Sequence, residues 1–159
     1  MRLDVMENHR LDKIIDWNDW QYMDILWIIH DFINDVLIGQ HKLKEINVSA
    51  SVIERVIYYS DIIKKYLDED IDNNELNKQG TQAMQLVDAL DGVDKIVIDA
   101  IKIGLGDSER ACFPEYDAGF LFGVMLSDLY RLNDCSIYKY FGEFISQHPK
   151  TQKHKFVSF

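Results

Sequence analysis

Cysteine, proline and glycine are all scarce: among 159 residues there are two Cys, two Pro and eight Gly. Each shortage removes a class of architecture. Cys112 and Cys135 are too few for a disulfide scaffold and read as small hydrophobes of a reducing compartment. So little Pro and Gly excludes collagen-like and low-complexity chains. Long apolar runs are missing too. The longest uncharged run, Ala118 to Ser127, is about half of what crosses a bilayer as a helix, so no membrane partner is expected. The opening residues Met1-Arg2-Leu3-Asp4-Val5-Met6-Glu7 are charged and lack the apolar stretch of a secretory signal, which predicts a cytoplasmic location.

Positive charge is the other deficit. Lys and Arg number 17 against 27 Asp and Glu, a formal net charge of −10. Duplex binders cluster basic residues against phosphate. Here they are scattered, apart from a short C-terminal run, so nucleic acid is not an expected partner. An acidic surface keeps the chain soluble and favours encounter with a basic protein.

The common chemical signatures are absent as well. No Walker A sequence, HExxH, nucleophile elbow or Cys-x-x-Cys pair occurs. The histidines, His9, His30, His41, His148 and His154, include no pair at the i,i+3 or i,i+4 spacing of a helical metal site. No cofactor, metal or catalytic residue is assigned. Two segments come near a motif and fall short. Asp68-Glu69-Asp70-Ile71-Asp72-Asn73-Asn74-Glu75 offers oxygen ligands at calcium-loop positions 1, 3, 5 and 7, but the sixth-position glycine is Asn73 and the twelfth-position glutamate is Gln79. Gly104-Leu105-Gly106-Asp107-Ser108-Glu109 opens like a phosphate loop, lacks the third glycine and puts a carboxylate where phosphate needs donors. Both read as helix junctions.

What is present is helical periodicity. The length suits one domain, and 47% hydrophobic with 12% aromatic residues suffices for one core. The expected fold is all-α: a single compact bundle of about six helices around a central apolar helix, spanning 1–149, followed by a basic tail, 150–159, open to disorder or to docking through its phenylalanines and lysines. The first helix runs from Asp19 to Ile38, with Gly39 as a left-handed cap. The second begins in Ser49-Ala50-Ser51, where Ser51 and Glu54 have capping-box spacing, and reaches Leu67. The third starts near Asp72 with Glu75 three residues on, and its Gly80 and Ala83 would let a neighbour approach closely. Asp91-Gly92 precedes a fourth from Val93, read as helical although Lys95-Ile96-Val97-Ile98 would also suit a buried strand. Pro114, Glu115 and Asp117 open a fifth that reaches Leu132 and is apolar all round over Phe120–Leu126, the expected centre. A sixth begins at Asp134 or Ser136 and stops before Pro149.

On the first helix Asp24, Asp31 and Asp35 fall on one line, flanked by Trp20 and Trp27, with Asp16, Trp17 and Asp19 extending it. Large anchors beside charges are the chemistry of a binding hot spot. The same residues would equally serve as tryptophans packed under neighbouring helices beside a solvated acidic edge. His30 shares an arc with Met23 and Leu37 and suits a packed histidine, and a Cys112-His30-Asp31 nucleophile has no positive support. Candidate partner-binding residues are Trp20, Asp24, Trp27, Asp31 and Asp35, and secondly the acidic stretch Asp68, Glu69, Asp70 and Asp72. Three functions fit. The leading one is an immunity-type inhibitor that covers the active site of a basic, nuclease-type toxin. Behind it stand a helical adaptor or virulence-modulating protein using a hydrophobic groove, and an enzyme with dispersed carboxylates such as Asp99 and Asp117.

Overall fold

The computed structural model describes residues 2–106, 117–132 and 136–156. In chain order the helices are α1 (Leu3–Ile14), α2 (Tyr22–Phe32), α3 (Lys42–Glu45), α4 (Ala50–Leu67), α5 (Asn73–Ala89), α6 (Gly92–Ile101), α7 (Ala118–Tyr130), α8 (Ser136–Gln147) and α9 (Pro149–Gln152). A π-helical segment, Ile33–Ile38, prolongs α2, and a short 3-10 turn, Lys102–Gly104, prolongs α6. The described residues contain no strand beyond one isolated bridge, Ile15 to Lys155, so the fold is an all-α bundle. The segment from Gly92 is a helix, because its one-sided spacing buries Val97, Ile98, Ala100 and Ile101 together.

Caps fix where the helices begin. Asp72 accepts the Glu75 N–H at 2.9 Å and Asp117 that of Phe120 at 2.8 Å. Pro114, Glu115 and Asp134, offered as helix starts, lie outside the described residues. The cap of α4 is Ser49, not Ser51: its Oγ accepts the Val52 N–H, while its own N–H donates to Asp94 of α6 at 2.9 Å. Asp94 thus supplies the carboxylate that Glu54 was expected to provide. Gly39 is not a left-handed cap either. It has φ −61°, and the left-handed residue is His41, at φ 58°. The reason is the π segment, in which the Gly39 N–H bonds the carbonyl of Asn34, five residues back. That wider turn brings the Asn34 and Asp35 carbonyl oxygens within 2.8 Å of where a Cβ on residue 39 would stand.

Two regions depart from the expected pattern. The N-terminal stretch, read as no element, is α1. It buries only Leu11 and Asp4 and packs on α7 and α8 largely through polar side chains, Asn8 against Gly123 and Glu7 against Gly142. In addition, α7 is not enclosed on all sides, since Phe120 and Val124 are exposed. The centre is shared with α2, whose Ile25, Leu26, Ile28, Ile29 and Phe32 are buried against α4, α8 and the 3-10 turn. An aromatic column joins the two: Phe32 meets Phe141 at 4.8 Å, Phe141 meets Phe122 at 5.9 Å, and Phe122 meets Trp20 at 5.7 Å.

Candidate functional site

The ridge of α2 that carries the aspartate line lies between α4 and α8, and the C-terminal segment runs against it. From His148 to Phe156 the chain packs back on the body: Thr151 is fully buried, Asp16 N–H donates to the His154 carbonyl at 2.6 Å, and Phe156 N–H to that of Ile14. Val157, Ser158 and Phe159 lie outside the described residues. The segment meets the acidic line at two points. His148 Nε2 donates to Asp31 Oδ2 at 2.7 Å. Its Nδ1 accepts the Lys150 N–H at 3.0 Å, which sets the tautomer. Lys153 Nζ stands 3.5 Å and His154 Nε2 3.9 Å from Asp24 Oδ2, and the His154 ring stacks on Trp20 at 4.6 Å.

Asp24 therefore departs from the open acidic line. It is buried, with 6% exposure, and it also accepts the Gln21 N–H at the start of α2. Trp20 sits under His154 and against Trp17, its Nε1–H donating to the Asp16 carbonyl at 3.0 Å. The aromatic and acidic pattern at these two positions is satisfied by the chain's own basic tail.

Further along the ridge the surface opens. Asp31, half-buried, is bonded on its other oxygen to His30 Nδ1 at 3.0 Å. Asp35 is exposed, with no ion pair among the described residues. Asp31 and Asp35 share an open hollow of about 350 Å³ with Phe144, Gln147, His148 and Pro149. Trp27 is half-buried, edge-on to His30, with Lys64 Nζ 5.1 Å and Lys150 Nζ 5.9 Å from its ring centre.

Lys64 is the link to the second acidic stretch. It donates to both oxygens of Asp68, at 2.7 and 2.8 Å. Asp68, Glu69 and Asp70 are exposed at the end of α4, the turn closed by Glu69 at φ 63° and by Asp70 N–H on the Lys65 carbonyl. Asp72 then caps α5, so the calcium-loop spacing is used to join two helices. No group of three or more His, Cys, Asp or Glu side chains able to hold a metal ion occurs among the described residues. Two patches more than 30 residues apart in sequence are thus bridged by Lys64, which reaches both the Trp27 ring on α2 and Asp68 at the end of α4.

The dispersed carboxylates have structural partners. Asp117 is the α7 cap. Asp99 pairs with Lys102 at 2.8 Å and stands 3.7 Å from Arg131. A carboxylate that sequence reasoning missed, Asp128, lies beside them, 3.5 Å from Arg131. Burial, reinforced by the charge of Asp99, raises its pKa to about 6, against the pull of Lys102 and Arg131. Cys112, named with His30 and Asp31, lies outside the described residues. Gly104 and Gly106 end α6 as a helix terminus, Gly104 against Ile63; Asp107, Ser108 and Glu109 are not described. Comparison with protein-family models, curated proteins and solved structures finds no match for this chain.

Proposed function

We propose that this chain is a protein-binding inhibitor of the immunity type, acting in the cytoplasm, which neutralises a basic, nuclease-type toxin by laying a carboxylate-rich face over its active site. The supporting observation is that Lys64 bridges two sequence-distant acidic patches, at the Trp27 ring and at Asp68. A nuclease cleft is lined with cations that hold phosphate, and a run of carboxylates around an aromatic anchor is complementary to it. The net charge of −10 adds a long-range field that draws such a partner in.

Asp31 is held by His148, so the partner would be read chiefly by the exposed Asp35, Glu69 and Asp70, with Trp27 as the anchor. The test is affinity capture from the native cell lysate, with the parent chain and the double variant Asp35→Lys/Asp70→Lys as baits, at low and high salt. The expected result is one basic protein that the parent retains at low salt, that salt releases, and that the variant fails to retain. Equal retention by both baits would place the interface elsewhere. Absence of any stoichiometric partner would remove the inhibitor reading.

A further inference from the structure

At the far end of the seam between α2 and α4 lies a cavity whose chemistry differs from the acidic face. The π segment, α3 and α4 form a half-open hollow of about 270 Å³ lined by Leu37, Ile38, Leu43, Ile53 and Ile57, with His41 and Lys44 as its titratable side chains. The walls are built features. The extra residue per turn of the π segment is held by Asn34, whose Nδ2 donates to both the His30 carbonyl and Ser60 Oγ. The left-handed His41 turns the chain into α3, which carries Leu43 inward and Lys44 outward. Ile57 is 49% exposed although it faces aliphatic neighbours, so apolar surface at the mouth is left uncovered.

We infer that this cavity is a binding site for a small amphiphilic carboxylate, an unbranched alkyl acid whose chain lies among the five aliphatic residues and whose carboxylate meets Lys44. The volume bounds the size. A closed apolar cavity of about 150 Å³ holds benzene, so a half-open hollow of 270 Å³ has room for an alkyl chain of about eight to ten carbons. The charge sets the head group. In a chain of net −10, where Lys42 is engaged by Glu45 and Lys64 by Asp68, Lys44 has no ion pair among the described residues. An ammonium beside an aliphatic cleft favours an anion at the mouth, and His41 adds a hydrogen-bond donor beside it.

The probe is sodium decanoate, kept below its micelle concentration and titrated calorimetrically into the full chain, with decanamide as the uncharged counterpart. One-to-one binding with a dissociation constant on the order of 10–100 µM is expected. Lys44→Gln should weaken decanoate at least fivefold and leave decanamide unchanged. Ile57→Asp, at an exposed position that leaves the fold intact by circular dichroism, should weaken both at least tenfold. No saturable binding, or binding indifferent to Ile57→Asp, overturns the assignment. A concentration-dependent dimer that Ile57→Asp abolishes also overturns it, because the cavity's occupant would then be a second copy of the chain.

Discussion

The residues that carry most information here are polar groups held inside the bundle. Asp128 is one. Its pKa, raised from 3.8 to about 6 mainly by burial, means that the folded state binds a proton more tightly than the unfolded chain. Stability is therefore gained as pH falls from about 6 towards 4 and lost as pH rises through the same window. Asp128→Asn should raise stability at pH 7 by about 1 kcal/mol, after discounting the shift for screening, and should flatten the pH dependence of the thermal midpoint between 4 and 6. An unchanged profile would show that Asp128 titrates normally. Gly80 carries information of another kind, through close packing. A Cβ there would overlap the Leu105 backbone carbonyl, so the backbone of one segment or the other would have to shift. Gly80→Ala should destabilise by about 2 kcal/mol or more despite alanine's better helix propensity, as read from urea unfolding. Its need for a small residue was legible as helical spacing, Leu76, Gly80, Ala83, Val87. The neighbour it accommodates was not, because Leu105 lies 25 residues away.

At the scale of elements, periodicity revealed the helices that bury an apolar stripe and missed the one that does not. Helices α4, α5, α6 and α8 turn regularly spaced apolar residues inward, and that spacing is written in the chain. In α1 only Leu11 among the apolar residues is buried, while Leu3 and Met6 are exposed, so no stripe exists to be read. The C-terminal segment was ambiguous for a similar reason. Its lysines and histidines resemble a solvated tail, and only the folded chain brings His148 to Asp31, 117 residues away. The segment acts as a strap, with Thr151 buried, His154 on Trp20, and backbone hydrogen bonds to residues 14 and 16. Truncation after Gln147 should lower the thermal midpoint by several degrees and shift tryptophan emission to the red as Trp20 is uncovered. His148→Ala alone should cost about 2 kcal/mol, the worth of a buried hydrogen bond to a charged acceptor. Unchanged emission and midpoint in the truncated chain would show that the strap does not hold.

On the whole-molecule scale the charge excess and the proposed recognition surface belong together. The sequence showed aspartates and tryptophans at the right spacing for a hot spot, but spacing does not say who the partner is. At Trp20 and Asp24 it is the chain's own C-terminus. Asp35, Glu69 and Asp70 are exposed, and under the proposed function a basic partner would meet them; the two stretches are linked because α4 packs along α2 and lends Lys64 to both Trp27 and Asp68. Recognition of a basic protein by this bridged surface is read from the affinity of the captured partner for the parent and for Asp35→Lys/Asp70→Lys, measured by calorimetry at two salt concentrations. At low salt the double variant should bind at least tenfold more weakly than the parent, with the gap narrowing as salt is raised and both folds intact. Equal affinities for parent and variant at low salt would mean that the partner does not bind through Asp35 and Asp70.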